Sequence, residues 1–420
     1  MFNRTGVRNL CLLSAALTAP AMAATWCVNP AGSGGCSKTI GAAVSGAAAG
    51  DTVEVAAGTY KESVTIGKSL LLFGANAATT IIDATSLGTG IYVDGLDNPK
   101  LSGVVISGFT VQNANYEGIV ATNTTGLTVM GNVLTGNNKG LVLAAAGNTC
   151  PGIASWETNE DDDCGEAIHL SGVSGGVILN NTVNNNAGGI LLSDETGPTT
   201  LNVITGNTVT NNALDCGITL ASHVPASGAA TALGVFANVV TGNTSSQNGL
   251  TGEGAGVGIF ASAPGTAAYS NVVANNTISG NGIPGVSIHG HTPGQVLNGN
   301  MILANTLSGN GADLFDSATP GTAGINIYSV SPVSGTVVAG NNISNENIAV
   351  AWNAPGDARV QSNILGSKYG VYNLGPGTVT ADNNWWGCAV GPTTPIAALV
   401  GCGTPGGNVT INSWMLQAPK

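Results

Sequence analysis

The chain has 420 residues with a formal net charge of −12, yet only 8% of its residues are charged, 63 are glycine and 43% are hydrophobic. So acidic a surface repels nucleic acid, anionic lipid and acidic polysaccharide. The apolar residues fall in short regular runs of Val, Ile, Leu and Ala, which excludes a disordered chain.

At the N-terminus, Arg4 and Arg8 precede an apolar run from Leu10 to Met22, and Ala21-Met22-Ala23 offers a small-x-small cleavage site. This predicts an export signal over residues 1–23, too short for a spanning helix, and a secreted or periplasmic mature chain, 24–420, as a single domain. No later apolar run is long enough to enter a membrane, and the product is expected to be a monomer. Residues 24–50 are expected to cap the N-terminal end, with Thr39 to Val44 as a short amphipathic helix. Residues 380–420, with Trp385 and Trp386, are expected to cap the other end.

Export permits disulfides. Closeness in sequence pairs Cys27 with Cys36, Cys150 with Cys164 and Cys388 with Cys402, and leaves Cys216 as a buried thiol.

Between the caps, a glycine followed by alternating apolar residues recurs: GIYVDG from Gly90, GIVATN from Gly118, GLVLAA from Gly140, GILLSD from Gly189 and GITLAS from Gly217. GVGIFA from Gly256, GVSIHG from Gly285, GINIYS from Gly324 and GVYNLG from Gly370 continue the series, and Ala167 replaces the glycine before Ile168. Alternation of period two means strands, and recurrence every two to four dozen residues means a solenoid or a propeller. Intervals as short as that from Gly118 to Gly140 leave no room for a propeller blade of about 40 residues. The expected fold is all-β: a right-handed parallel β-helix with about three strands per coil and about ten or more coils. Ile190, Ile218, Val257, Val286 and Ile325 should form one buried column, and the Asn-rich phrases between strands, such as NNTVNNN from Asn180, should mark bends where stacked amides bond along the axis.

GDTVEVAAGTYKESVTIGKSLLLFG from Gly50 resembles the opening of pectin-lyase-like right-handed β-helix proteins, and NNWWGCAVGP from Asn383 resembles the closing phrase of secreted bacterial β-helix repeat proteins. The resemblance implies the fold but no single activity, since that superfamily holds lyases, hydrolases, epimerases and non-enzymatic proteins. Of the polygalacturonase-like motifs only Gly290-His291 is present in part. The cations of pectate-lyase-like enzymes have no counterpart, because no Lys or Arg occurs between Lys139 and Arg359.

In a stack of coils about 4.8 Å apart, outward residues of successive repeats become neighbours. This gathers His169, His223, His289, His291, Phe260 and Tyr328 on one face, beside Asp194, Glu195 and Asp215. Aromatic rings suit sugar faces, while carboxylates and histidines suit hydroxyl recognition or acid/base work. His169, Phe260, His289, His291 and Tyr328 are therefore candidates for substrate binding, and Asp194, Glu195, Asp215 and His223 for catalysis. Pairing of these side chains across coils without a ligand is the competing explanation. The expected partner is a polysaccharide or cell-surface glycan, bound by a non-catalytic solenoid; alternatives are a hydrolase or lyase-like enzyme on a neutral glycan, or a structural solenoid without ligand. No cofactor is required, although Asp161, Asp162 and Asp163 in ETNEDDDCGE are hard oxygen donors that could hold calcium if they are more than a solvated loop.

Overall fold

In the computed structural model the chain is described over residues 23–143, 149–157, 165–224, 234–251, 254–314 and 318–419. The export signal, Cys164 and Asp161 to Asp163 lie outside the described residues.

The chain visits three sheets in turn, of 14, 12 and 11 strands, and every neighbouring pair of strands in them is parallel. One coil runs Val203–Thr205, Thr208–Thr210, Ile218–Ser222, a strand for each sheet. This is the expected right-handed parallel β-helix. The 12-stranded sheet carries the glycine phrases, in the anticipated register: Ile190 pairs with Ile218, Ile218 with Val257, Val257 with Val286 and Val286 with Ile325. All five are fully buried. The glycine ahead of each inward residue is dictated by close approach, since a Cβ on Gly189 would stand 2.0 Å from the Gly217 carbonyl oxygen of the next coil.

Each Asn-rich bend uses two residues with different tasks. The first takes a left-handed conformation, as at Asn180, Asn211 and Asn275. The second is buried and joins a ladder. Asn132, Asn181, Asn207, Asn243, Asn276, Asn305, Asn341 and Asn363 each give a side-chain amide hydrogen to the amide oxygen of the next, the last reaching Asn384, at 2.9–3.1 Å. The other amide hydrogen goes to a backbone carbonyl, as from Asn243 to Ile204, so these buried amides are satisfied. A second ladder runs from Asn137 to Asn310, where Glu346 receives it.

Helix α1, Ile40–Gly46, starts at Thr39, whose hydroxyl accepts from the Ala42 amide, while Glu62 accepts from the amides of Ile40 and Gly41. At the far end Trp386 is fully buried. Disulfides join Cys27 to Cys36 and Cys388 to Cys402, and Cys216 is a buried free thiol. Cys150 is disulfide-bonded, but the partner expected for it, Cys164, is outside the described residues. No described helix is long and apolar enough to cross a membrane.

Two repeats differ from expectation. GLVLAA from Gly140 is not a rung: Ile119–Thr122 pairs directly with Ile168–Ser171, and Val142 makes only an antiparallel bridge to Thr149 with Leu143 exposed. Its alternation decorates a side loop, so the short interval supporting the coil length is instead the 22 residues from Ala167 to Gly189. Conversely Ile348–Asn353 is a rung without a glycine, with Val350 beside Ile325 and Ala349 at the glycine position.

Candidate functional site

The outward face of the 12-stranded sheet has two halves. Along Ile119–Thr122, Ile168–Ser171, Ile190–Ser193 and Ile218–Ser222 both faces of the strand are buried, whereas along Val257–Ala261 and Val286–Gly290 the outward Phe260 and His289 are partly exposed. The covering comes from side loops between coils, which lay Trp156 and Glu157 over His169.

His169, an outward residue on alternation, is consequently fully buried. Its Nδ1 lies 2.8 Å from Glu157 Oε1 and its Nε2 2.7 Å from Ser193 Oγ. Ser193 spends its own hydroxyl hydrogen on Glu195 Oε2 at 2.6 Å, so its oxygen must accept from His169 Nε2–H. Glu195 Oε1 is in turn 3.8 Å from His223 Nδ1.

From His223 the contacts pass into aromatic rings. Its centroid is 6.2 Å from Phe260, which is 4.7 Å from His289 and 5.6 Å from His291; His291 is 5.8 Å from Tyr328. The rings of His289 and His291 are bridged by a 3.2 Å Nδ1 to Nε2 contact. One continuous chain of side chains thus runs from Glu157 to Tyr328 across successive coils.

Burial works against the charge of Glu195, but the hydrogen bond and charge of His169, with His223 and Ser193, outweigh it and hold its carboxyl at about 2. Burial also works against a charged His169, and the flanking Glu157 and Glu195 overcome it, raising the imidazole well above its ordinary value. Glu157 moves the other way from Glu195: burial and the nearby Glu117 push its carboxyl up. Burial, reinforced by Glu117 and Asp215, pushes Glu166 to about 8.

Glu117, Glu157, Glu166 and His169, all buried, each bring one donor atom within 4.8 Å of the others. Glu117 Oε2 accepts from Thr89 Oγ1 at 2.9 Å. Its other oxygen and both oxygens of Glu166 have no hydrogen-bond partner among the described residues. A pocket of about 230 Å³ opens beside them, lined by Tyr92, Tyr116, Glu117, Trp156 and Glu157 among others.

The other acids singled out from the sequence are placed differently. Asp194 accepts from Ser222 Oγ, His223 N and Gly234 N, at 2.6–2.8 Å, so its carboxylate ties down the start and end of a side loop rather than facing the groove. Asp215 accepts from Thr219 Oγ1, and its charge bears on Glu166 and Cys216.

Glu117, Glu157 and Glu166 were not singled out by position, although Glu157 and Glu166 bound the acidic segment. The signal was present: Glu117 and Glu166 both immediately precede the first residue of a rung, Gly118 and Ala167, on adjacent coils. Counting GLVLAA as a rung hides this by inserting a coil between them.

A family model described as "Periplasmic copper-binding protein (NosD)" matches residues 58–224. No curated protein matches the sequence significantly. Among solved structures, the chain is similar to a DFA-IIIase from Arthrobacter chlorophenolicus A6 without its lid, with 14% identity, a TM-score of 0.55 and coverage of 91% of this chain and 96% of that one. The catalytic unit of a GH87 α-1,3-glucanase from Streptomyces thermodiastaticus gives 15%, 0.50, 90% and 66%. A mannuronan C-5 epimerase A-module from Azotobacter vinelandii gives 16%, 0.47, 88% and 91%. The chain has the right-handed parallel β-helix fold of the pectin-lyase-like proteins. At such identities the likeness concerns the fold and leaves the activity to the site.

Proposed function

We propose that this is an extracytoplasmic glycan-binding β-helix whose ligand lies along the outward face of the 12-stranded sheet, from Tyr328 toward the pocket beside Trp156. The observation that carries the proposal is the unbroken run of rings His223, Phe260, His289, His291 and Tyr328 on adjacent coils, ending at a buried carboxylate–histidine network. A rigid shelf of rings stacks on sugar faces with little ordering cost, and the histidines supply hydrogen bonds. The chain's negative charge, with no Lys or Arg from 140 to 358, favours a neutral glycan. Localisation outside the cytoplasm is supported by the disulfides Cys27–Cys36 and Cys388–Cys402 and by the periplasmic family match.

The test is binding to a panel of neutral polysaccharides, immobilised in affinity gels, with Phe260→Ala combined with Tyr328→Ala. Loss of retardation with a nearly unchanged thermal transition supports the face; a double variant that binds normally overturns it.

A second proposal, catalysis on the same glycan, is favoured by two carboxyl groups flanking one imidazole with their affinities for protons driven apart, Glu157 up and Glu195 down to about 2. New reducing ends or unsaturated products, lost in Glu195→Gln, would establish it.

The family description names copper. Cu(I) selects thiolates and thioethers. Among the described residues Cys27, Cys36, Cys150, Cys388 and Cys402 are in disulfides, Cys216 is a single buried thiol packed with Ala255 and Ile283, and Met130 and Met301 lie on the 14-stranded sheet. These residues do not fit a soft copper centre, and no step is derived through one.

A further inference from the structure

We infer that Glu117, Glu157, Glu166 and His169 form a binding site for one divalent first-row metal ion of oxygen and nitrogen preference, such as Mn²⁺. The inference is independent of the glycan proposal.

Four donors from three separate parts of the fold converge here. Glu117 and Glu166 stand one coil apart at equivalent positions, His169 projects from the strand that follows Glu166, and Glu157 descends from the side loop above. Three carboxylates so close in a buried space repel one another, and each is costly to bury charged without a partner. Folding does not relieve this with protein donors: both Glu166 oxygens and one of Glu117 meet no hydrogen-bond donor among the described residues, although Glu166 is fully enclosed and Glu117 is 2% exposed. The buried asparagines of the ladders are by contrast paired with their neighbours, and three unpartnered carboxylate oxygens gathered in one cluster are what a cation would explain.

His169 is also held in the way a metal-binding imidazole is held. A ligating histidine usually gives its other ring N–H to a fixed acceptor. His169 Nε2–H is committed to Ser193, backed by Glu195, which turns Nδ1 toward Glu157 and the cluster. On binding, Nδ1 gives up its contact with Glu157 and both become ligands, releasing protons. The donor set of three carboxylates and one imidazole separates the candidates. Calcium and magnesium take oxygen ligands throughout, soft ions take sulfur, and mixed oxygen and nitrogen sets suit the divalent first-row ions from Mn²⁺ to Zn²⁺, Cu²⁺ included.

Equilibrium dialysis of the mature protein, stripped with chelator and then exposed to Mn²⁺, should find one ion per chain. Glu166→Gln and Glu117→Gln, which keep shape and remove charge, should weaken uptake at least tenfold, while Asp382→Asn at the C-terminal end should not change it. Electron spin echo spectra of bound Mn²⁺ should show nitrogen coupling that disappears in His169→Gln. Thermal unfolding guards against misfolding: Glu166→Gln should unfold no lower than the metal-free wild type, and only the wild type should gain stability with Mn²⁺. Absence of Mn²⁺ uptake, uptake unaltered by both glutamine variants, or bound Mn²⁺ without nitrogen coupling would each overturn the site.

Discussion

Two buried polar arrays lie within one solenoid and are built on opposite terms. In the asparagine ladder every rung repeats the same amide, with each oxygen filled by the previous rung and each hydrogen by the next rung or a backbone carbonyl. In the pocket under Trp156 the donors come from adjacent coils and a side loop, three of the four are carboxyl groups, and several of their oxygens have no donor among the described residues. The ladder is satisfied within the chain itself, whereas the pocket leaves carboxylate oxygens that the described residues do not pair. Repetition of a satisfied group is how this sequence builds structure, and the proposed metal site is where that satisfaction stops.

The largest effect should follow from breaking the ladder at its middle. Asn243→Ala takes the acceptor from both the backbone and side-chain amides of Asn207 and removes the donor to Ile204. Two orphaned buried donors at about 1–3 kcal/mol each predict a loss of roughly 2–6 kcal/mol, read from the shift in a denaturant transition. A change below about 1 kcal/mol would mean that water repairs the rung and that the ladder is not the device that sets the coil.

Next comes the apolar counterpart of the ladder. Ile218 is fully buried between Ile190 and Val257, and its replacement by Ala should cost roughly 2–5 kcal/mol through lost transfer energy and a cavity that stacked coils cannot easily close. Ile348, on the rung without a glycine, provides a weaker control, since it packs with Ala323 and Ala351 in a separate small cluster rather than in the main core. The ratio of the two losses measures how much the register, rather than burial alone, contributes.

A smaller effect is expected inside the pocket. Ser193→Ala severs the link from His169 to Glu195, leaving the 3.5 Å separation between Nε2 and the carboxylate. The expected cost is about 1–2 kcal/mol. On the proposed function, glycan affinity rests on the partly exposed rings Phe260, His289, His291 and Tyr328 and should be little changed. Equal loss of stability and binding would show that the pocket and the aromatic shelf are one unit rather than two.

What could be read from the sequence divides along the same line. Inward residues obey a two-residue period, bends are written in Asn and Gly, and the caps and the Cys27–Cys36 and Cys388–Cys402 bridges are local, so the fold was legible. The ring stripe was legible too, because outward residues inherit the register: Phe260 pairs with His289 and His289 with Tyr328 as counted. The pocket was not. Glu157 reaches His169 only because the chain between coils folds back over the face, and no periodicity governs where such a loop lands. Asp194 was legible as a neighbour of the groove, but its role in holding Gly234 depends on the loop's return path.

The smallest effect tests the comparison at Glu346, where a ladder ends on a carboxylate with an unpartnered oxygen of its own. This carboxylate occupies a slot that Asn fills on the preceding coils, accepting from the backbone and side-chain amides of Asn310 at 2.8 and 3.0 Å on one oxygen while the other has no partner among the described residues. Burial raises its carboxyl above the ordinary 4.5, and the two Asn310 donors only partly offset that. The folded chain therefore keeps this proton at a pH where the unfolded chain has released it. Stability from this group is fully present below about pH 4.5 and is lost as pH rises through the folded value, because beyond that the native state carries a poorly solvated charge. Glu346→Gln retains the accepting oxygen and replaces the orphaned one with an amide that is never charged. Wild type and variant should accordingly be of similar stability below pH 4.5, with the variant gaining as pH rises toward neutrality. Parallel melting curves over pH 4 to 8 decide it: a difference that is flat with pH would show that the terminal rung tolerates a charge as well as an amide, and that satisfaction of every atom matters only in the ladder's interior.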